Sequence, residues 1–513
     1  MADTPPEEAM RSPAFYPHRP ESVEVVETHI SWVFLAGERA FKLRKPVVFP
    51  FLDYGTAERR RQMAEQEVRL GRRLAPNLYV GVLPLRRDGA GWTLGEPGAE
   101  GSEYVVEMRR FDERRTLAAL LRAGAVDAAT IRSVAQLLAA FHTQAAPAPI
   151  GSFDPEAVAA TVSENFSTLL PFAARLEPAK LAGAHRFAVA FLHSHAEMIE
   201  RRSEQGLVRD CHGDLRAEHV IVQADGVEVF DPVEFDPALR EIDVAADLAF
   251  LVMDLVDAGA EDLARLLEHE YEAAGGDYGS TALLYFYAGY RALVRAKVAC
   301  LRAGEQAPGA PRAQSLAEAR RLVDLARRLA WRARAPLVLV VCGVSATGKT
   351  HLARAVSDLS GLPHLSSDLM RKELHGVAPT QRAPDESYTA AASLATYREL
   401  GRRAAELAEV GAIVDATFRR RADRAAFTSA FGGAALYVEC RAPAAVIAER
   451  AALRESDPLR VSDATAGIAE RQLAEFEPLD EVPPDQHLLL RSDRPLEALL
   501  DELEAALDAR LGG

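Results

Sequence analysis

The stretch GVSATGKT occupies residues 343–350 and fits the pattern G-x-x-x-x-G-K-[ST]. It follows the apolar run LVLVVC and precedes HLARAVSDL, a segment with helical periodicity. Glycines let backbone N–H groups turn inward around phosphate oxygens, and the N-terminus of a helix adds a partial positive charge. The stretch therefore predicts a phosphate-binding loop (P-loop) between a buried strand and a helix.

Each residue of this loop has an expected role in holding ATP and Mg²⁺. Lys349 would reach the β- and γ-phosphates, and the Thr350 hydroxyl would coordinate Mg²⁺. The remaining residues are expected to bind the nucleotide as part of the phosphate cradle: Gly343, Val344, Ser345, Ala346, Thr347 and Gly348.

Two acidic residues near other strands of this region fit around the loop. Asp415 ends the apolar run AIVDAT, where a carboxylate would hold Mg²⁺ directly or through water. Asp368 lies in HLSSDLMRK, just past the second expected strand, and could accept a proton from a substrate hydroxyl. The alternative for Asp368 is a helix N-cap. Arg371, one helical turn later, could bind substrate anions.

Two arginines end a later helix. Arg450 and Arg454 precede the polar stretch ESDPLRVSDA, residues 455–464. Arginines at this point could close over the phosphates as a lid, and the alternative is that they are exposed helix charges.

Strands and helices alternate after Pro336, which predicts an α/β fold with a parallel sheet over residues 336–513. The P-loop, SSD-x-x-RK and VDATFRRR together resemble the small-molecule P-loop kinases, such as gluconate kinase, and the zeta-toxin-like ATPases. The resemblance implies a P-loop NTPase fold and transfer of the γ-phosphate of ATP to a small substrate.

A second motif, CHGDL, spans residues 211–215. It is followed by a short strand, a turn at Asp225-Gly226, another strand and Asp231. The order is typical of a kinase catalytic loop, in which one aspartate handles the acceptor hydroxyl and a second holds Mg²⁺. It resembles the aminoglycoside phosphotransferases. That resemblance implies Asp214 as catalytic base, Asp231 as metal ligand and His212 as the residue that orients the loop.

The order of the lobes agrees with this resemblance, which covers residues 22–330. A β-rich stretch precedes a helical one, as in an α+β, bilobal protein-kinase-like domain. By the same resemblance, Lys42 would pair the α- and β-phosphates, with Lys45 and Arg44 as alternatives. Its ion-pair partner would be Glu67, with Glu65 as competitor, and Tyr104–Met108 would be the hinge strand that touches adenine.

One position departs from the family pattern. An asparagine that binds the second Mg²⁺ usually lies five residues after the catalytic aspartate, and His219 occupies this position here. A neutral histidine can ligate a metal, but Mg²⁺ prefers oxygen ligands. The domain could therefore be slow, use one metal, or have lost phosphotransfer.

The two regions together resemble a bacterial two-domain family described as bifunctional aminoglycoside phosphotransferase/ATP-binding protein. The segments that carry this resemblance are THISWVFLAGERAFKLRKPV, RRLAPNLYVGV, CHGDL and EIDVAADLAFLVMDL. It implies an ATP-dependent phosphotransferase that acts on a small-molecule hydroxyl acceptor. Two alternatives remain open: a regulatory ATP-binding protein with a pseudokinase domain, and a polynucleotide kinase-like enzyme.

Composition and charge bear on the partners and the location of the protein. The net charge of −15 argues against a nucleic-acid or anionic-membrane partner, and we find no run of 18 apolar residues. The four cysteines are far apart and form no CxxC pair, which fits a reducing cytoplasm. The acidic N-terminus carries no apolar segment, so no secretory signal is expected. Residues 315–334 predict a basic amphipathic helix, with its arginines in solvent, that leads to a domain boundary near Ala335-Pro336.

Overall fold

The computed structural model describes residues 4–49, 52–89, 91–149, 151–224, 226–455 and 466–511. The chain forms two compact units. Unit 1 comprises Met1–Val158 and Glu197–Ser280, and unit 2 comprises Ala159–Ala196 and Thr281–Gly513. Two helical segments of the predicted domain 22–330 therefore group with the P-loop region. The domain boundary near residue 335 stays a prediction.

The first part of unit 1 contains a six-stranded antiparallel sheet in the order β1-β2-β3-β8-β6-β7. The helices and strands of this part are α1 (Pro6–Ala9), β1 (Val23–Glu27), β2 (Ser31–Ala36), β3 (Arg39–Arg44), β4 (Val48–Phe49), β5 (Leu52–Asp53), α2 (Ala57–Gly71), β6 (Tyr79–Asp88), β7 (Gly91–Leu94), β8 (Glu103–Arg109), α3 (Leu117–Arg122) and α4 (Ala128–Gln144).

Successive side chains of this sheet point to opposite faces. Phe34 of β2 packs with Tyr16 and Phe41 in one core, and the adjacent Leu35 packs with Val68 of α2 in the other. Helix α2 begins at the N-cap Thr56, whose side chain accepts the Arg59 N–H. The sheet thereby fixes both β3 and α2, which carry the predicted lysine and its acidic partners.

The middle of the chain is mainly helical, with two short two-stranded sheets, β9 with β12 and β10 with β11. Its elements are α5 (Pro155–Leu169), α6 (Pro178–Ser194), α7 (Ala196–Glu204), β9 (Val208–Asp210), β10 (Val220–Gln223), β11 (Gly226–Val229), β12 (Glu241–Asp243), α8 (Val244–Asp257) and α9 (Glu261–Ala273). The predicted strand–turn–strand after CHGDL is β10 and β11. Asp225 of the predicted turn lies outside the described residues. The predicted α+β, kinase-like fold is confirmed.

The rest of the chain belongs to unit 2 and contains a parallel sheet in the order β14-β15-β13-β16-β17. Its elements are α10 (Thr281–Glu305), α11 (Ala310–Ala333), β13 (Val338–Cys342), α12 (Lys349–Ser360), β14 (His364–Ser366), α13 (Ser367–Leu374), α14 (Ala390–Glu406), β15 (Ala412–Asp415), α15 (Arg421–Phe431), β16 (Leu436–Arg441), α16 (Ala444–Glu455), α17 (Ala466–Ala474), β17 (His487–Arg491) and α18 (Leu496–Leu511). The predicted α/β fold with a parallel sheet is confirmed.

Strand β13 lies at the centre of this sheet and is buried on both faces. Leu339 and Val341 pack in a core with residues of α11, α12 and α18. Val340 and Cys342 pack in a second core with residues of α13, α14 and α15. Burial on both faces explains the continuous apolar run before the P-loop.

Helix α11 does not place all its arginines in solvent, contrary to the sequence prediction. The Arg327 guanidinium is buried and donates to Glu504 (2.7 Å) and Glu497 (2.8 Å) of α18. The Trp331 indole N–H also donates to Glu504 (2.7 Å), and Arg334 pairs with Asp508. Two helices far apart in sequence are thus joined by buried charges.

The sequence also predicted that the chain has no membrane-spanning helix and that its cysteines are not in disulfides. No helix among the described residues combines the length and the apolar character that crossing a membrane requires. All four cysteines are buried and free. The cytoplasmic location remains a prediction.

Replacing Arg327 by methionine is predicted to lower the free energy of unfolding of unit 2 by about 3 kcal/mol. The substitution removes a buried cation and leaves the Glu504 carboxylate without its main partner. Urea unfolding followed by circular dichroism measures the loss. Arg354→Met, at an exposed arginine of α12, is the control and should change stability by less than about 0.5 kcal/mol. Equal losses in the two variants would show that the buried Arg327–Glu504 pair has no special role in stability.

Candidate functional sites

Unit 1 brings three of the predicted site residues into contact. The Lys42 ammonium, on β3, donates to Glu67 of α2 (3.1 Å) and to Asp231 Oδ1, just after β11 (2.7 Å). Glu67 is only 1% exposed, so the pair is shielded from water. Lys42, Glu67 and Asp231 therefore form one cluster. In sequence, Glu67 is 25 residues from Lys42 and Asp231 is 189 residues from it.

The alternative residues lie elsewhere or have another partner. Lys45 donates to Glu27 (2.6 Å), and Glu65 accepts from Arg61 at the surface. Arg44 is buried and pairs with Glu67 on the side away from Lys42. It also donates to Glu234 (2.8 Å), which accepts from the Tyr54 hydroxyl (2.7 Å). Arg44 thus anchors Glu67, and Lys42 is the lysine that faces Asp231.

The environment of Asp231 keeps its carboxyl group ionised. Burial alone would raise the pKa of Asp231, but the Lys42 ammonium and then His219 outweigh it, so the pKa lies well below its ordinary value. Its backbone has a φ of 62°, in the left-handed region, and its N–H donates to the Tyr79 hydroxyl (2.9 Å). Aspartate tolerates this conformation better than most residues, and the contacts on both sides hold it there.

The predicted catalytic loop is tied to the strand that leads to Asp231. His212 Nε2 lies 3.0 Å from the Phe230 carbonyl oxygen, and the Asp214 N–H donates to His212 Nδ1 (3.3 Å). Burial lowers the pKa of His212, which favours the neutral ring that can donate at one nitrogen and accept at the other. His212 thus lies where it can orient the Asp214 loop.

His219 lies between the two predicted acidic residues. Its Nδ1 donates to the Asp214 carbonyl oxygen (2.9 Å), and its Nε2 lies 3.8 Å from Asp231 Oδ2. The Asp214 carboxylate is about one-third exposed, which leaves it open to an acceptor. Asp214, His219 and Asp231 therefore meet at one edge of the Lys42 cluster.

Asp247 supports this loop and was not among the predicted site residues. It is buried in α8 and accepts the N–H groups of His212 (3.0 Å) and Gly213 (2.8 Å). His142 Nε2 also donates to it (3.1 Å). Burial alone would raise the pKa of Asp247, but hydrogen bonds from His142 and the loop lower it to about 2. A lone carboxylate within the apolar run VAADLAFLVM was the available signal.

His142, Cys211 and Asp247 are residues of metal-binding types, and within the described part of the chain their possible ligand atoms lie within 4.8 Å of one another. Both Asp247 oxygens already accept hydrogen bonds, and His142 Nδ1 contacts the Tyr271 hydroxyl (2.8 Å). Burial raises the pKa of the Cys211 thiol, which disfavours the thiolate that metals need. The cluster is therefore structural.

The P-loop of unit 2 has backbone conformations that require glycine at two positions. Gly343 has a φ of 136°, and a Cβ atom there would lie 2.5 Å from the Cys440 carbonyl oxygen. Gly348 has a φ of 93° and precedes α12, which begins at Lys349. Lys349 is 8% exposed, and no described residue accepts a hydrogen bond from its ammonium group. The loop thus presents a helix N-terminus and an unpaired cation, with Thr350 next to it, which fits a bound phosphate.

Asp415 lies at the carboxyl end of β15, beside the strand that leads into the P-loop. It is 3% exposed, and its Oδ1 has no hydrogen-bond partner among the described residues. His364 Nε2 lies 3.6 Å from its Oδ2. A buried carboxylate oxygen without a partner is costly unless a cation or water satisfies it, so this position fits Mg²⁺.

Asp368 lies in the first turn of α13, whose N-cap residue is Ser366. The alternative interpretation of Asp368 as the N-cap is therefore wrong. Arg371 Nη1 lies 3.5 Å from Asp368 Oδ1, and the Arg371 guanidinium stacks on Tyr388 at 4.9 Å. Asp368 and Arg371 thus form a polar pair on α13, whereas the sequence predicted only that Arg371 could bind substrate anions.

Of the two predicted lid arginines, the structure describes the side chain of Arg450 only. Arg450 donates to the carbonyl oxygens of Thr347 in the P-loop (3.3 Å) and of Ser492 (2.9 Å). The Arg454 side chain and residues 456–465 lie outside the described residues. Sequence reasoning missed Gln472 of α17, whose side-chain oxygen accepts the Ser345 N–H of the P-loop (2.8 Å). Its local sequence carries no signal for this contact.

Asp247→Asn is predicted to lower the free energy of unfolding at pH 7 by about 2 kcal/mol. A pKa of about 2 in the folded chain, against about 3.9 when unfolded, means that folding favours the ionised form. That stability is present above pH 4 and is lost as the pH falls towards 2. The difference between wild type and variant, measured by urea unfolding at several pH values, should therefore shrink below pH 4. A difference independent of pH would contradict this.

Comparisons with known proteins match both halves of the chain. A family model described as an AAA domain matches residues 338–479. Among solved structures, a choline/ethanolamine kinase family protein from Mesorhizobium loti is 14% identical, with a TM-score of 0.37, over 62% of this chain and 94% of that chain. A gluconokinase from Sinorhizobium meliloti is 22% identical, with a TM-score of 0.26, over 34% of this chain and 94% of that chain.

Two mycobacterial relatives align with most of the chain. They are the uncharacterized proteins Rv2004c of Mycobacterium tuberculosis and Mb2027c of Mycobacterium bovis. Each is 33% identical over 459 residues, which cover 87% of this chain and 89% of the relative. The chain therefore belongs to the family of these two proteins.

Proposed function

We propose that this protein is an ATP-dependent phosphotransferase that acts on a small-molecule hydroxyl acceptor. The observation that carries the proposal is the Lys42 ammonium, which contacts both Glu67 (3.1 Å) and Asp231 (2.7 Å). In protein kinases the lysine–glutamate ion pair and the metal-binding aspartate must both be in place for phosphoryl transfer. A scaffold that never handled phosphate would have no need to hold these three charges together.

In unit 1, each group has a distinct task. When bound, ATP with its divalent cation supplies the phosphoryl group and offsets part of its charge. Lys42 would bind the α- and β-phosphate oxygens, and Asp231 with His219 would hold the cation. Asp214 would accept the proton of the acceptor hydroxyl. His212 and Asp247 keep the Asp214 loop in position through their hydrogen bonds.

In unit 2, the P-loop is the second proposed phosphate site. Lys349 would bind the β- and γ-phosphates, while Thr350 and Asp415 would hold Mg²⁺. Asp368 would accept the acceptor proton, and Arg371 would bind an anionic group of the acceptor. Arg450 supports the loop through the Thr347 carbonyl oxygen, and Gln472 would have to release Ser345 if a phosphate oxygen took that N–H.

The acceptor class rests on sequence resemblance and on charge. Both regions resemble kinases of small molecules, through CHGDL and Asp231 in one and GVSATGKT in the other. The net charge of −15 argues against the polynucleotide kinase alternative, because a polynucleotide substrate needs a basic surface.

His219 favours a second candidate function, a regulatory protein whose unit 1 binds ATP without transferring phosphate. The residue replaces the usual asparagine of the metal site. The two candidates differ in one measurable respect: only a phosphotransferase loses rate when Asp214 loses its negative charge.

Asp214→Asn is predicted to lower acceptor-dependent ADP release at unit 1 by about 10²- to 10⁴-fold, because a general base contributes about that much. The assay uses the full chain in a Lys349→Ala background, which silences the P-loop, and screens sugars, polyols, nucleosides and aminoglycosides. Lys42→Ala should also abolish release. Lys45→Ala is its matched control, because Lys45 pairs with Glu27 away from the cluster, and it should retain the rate of the Lys349→Ala parent.

The same screen tests unit 2 when Asp214→Asn is the background and Lys349→Ala is the test variant. Lys349→Ala should abolish ADP release that persists in Asp214→Asn. If Asp214→Asn binds ATP and releases ADP as fast as its Lys349→Ala parent with every acceptor, the regulatory function is favoured for unit 1.

A further inference from the structure

The hydrogen bonding of His219 determines which of its ring nitrogens carries the proton. Nδ1 lies 2.9 Å from the Asp214 carbonyl oxygen, which can only accept, so Nδ1 must donate. The neutral ring then has its lone pair on Nε2. Histidines that bind metals usually donate their other nitrogen to a carbonyl or carboxylate in this way, which fixes the tautomer and the orientation of the ring.

The lone pair of His219 Nε2 has a second metal-binding atom close to it. Asp231 Oδ2 lies 3.8 Å away, too far for a hydrogen bond. Ligands about 2.1 Å from one octahedral cation lie about 3 Å apart when adjacent. A shift of less than about 1 Å would therefore let one cation bind both atoms. Lys42 occupies the other Asp231 oxygen, Oδ1, which leaves Oδ2 for the cation.

The surroundings of the ring keep this arrangement in place. The His219 side chain is 10% exposed, and its ring contacts that of Phe230 with centroids 5.4 Å apart. Glu218 Oε1 also lies 3.8 Å from Nε2, but Glu218 is half exposed and pairs with Arg216. The His219 ring is largely buried, and Asp231, with its side chain 40% exposed, is held by Lys42 through its other oxygen. These two residues are therefore the fixed part of the site, and phosphate oxygens and water would complete the coordination.

The donor set determines which cation is favoured. Mg²⁺ prefers oxygen ligands and binds imidazole weakly, whereas first-row transition metals accept nitrogen and oxygen together. We propose that the metal site of unit 1 selects a divalent transition-metal ion such as Mn²⁺ over Mg²⁺, and that His219 Nε2 is the selecting ligand. The inference rests on the proposed function of unit 1, since it assumes a cation at Asp231.

Pulsed electron paramagnetic resonance of bound Mn²⁺ tests this directly. The sample is the full chain with Lys349→Ala and Thr350→Ala, which remove the P-loop nucleotide site, plus Mn²⁺ and a non-hydrolysable ATP analogue. The expected result is a ¹⁴N coupling from a directly bound histidine nitrogen. His219→Asn should abolish that coupling. It should also reduce the preference for Mn²⁺ at least tenfold, so that the dissociation constant of Mn²⁺ rises at least tenfold relative to that of Mg²⁺. His269→Asn, at an exposed histidine of unit 1, should change neither quantity.

Two outcomes would overturn the inference, and they can be told apart. If Asp231→Asn abolishes Mn²⁺ binding but the parent protein shows no ¹⁴N coupling, the role of His219 is wrong and the metal site stands. If Mn²⁺ binding is unchanged in Asp231→Asn, the metal site itself is wrong, and the proposed function of unit 1 fails with it. The coupling is measured on the parent protein, so the test does not depend on whether His219→Asn folds.

Discussion

The kinase-like site depends on one buried ion pair, between Lys42 and Glu67. Glu67 is almost fully buried and would be costly as an unpaired charge, so Lys42 on one side and Arg44 on the other stabilise it. With Glu67 fixed, the Lys42 ammonium is held where it also contacts Asp231. The pair thus links strand β3, helix α2 and the segment after β11 at the point where phosphate would bind.

A second set of hydrogen bonds holds the other side of this site. Asp247 accepts two successive backbone N–H groups of the CHGDL loop, and His212 ties the same loop to Phe230 next to Asp231. A carboxylate that accepts two backbone N–H groups fixes both the position and the direction of the loop. The orientation of Asp214 therefore depends on two buried residues, His212 and Asp247.

Much of this could be predicted from sequence, because some functions need contiguous residues. The P-loop requires glycines at fixed spacing before a helix, and Gly343 and Gly348 have the positive φ values that this geometry demands. The choice of Lys42 and Glu67 over Lys45 and Glu65 could not be settled, since neighbouring residues of one element differ only in the side they face. The partners of Arg327 and Asp247 were also missed, because local sequence does not reveal which distant helix or loop packs against a given residue. The grouping of Ala159–Ala196 with unit 2 was missed for the same reason.

We infer that the Lys42 cluster of unit 1 binds nucleotide phosphates in addition to the P-loop of unit 2. Isothermal titration calorimetry of the full chain with a non-hydrolysable ATP analogue tests it most directly, by counting sites. The predicted result is two sites per chain, with one lost in Lys42→Ala and the other in Lys349→Ala. One site per chain that Lys42→Ala leaves intact and Lys349→Ala abolishes would show that the Lys42 cluster does not bind nucleotide.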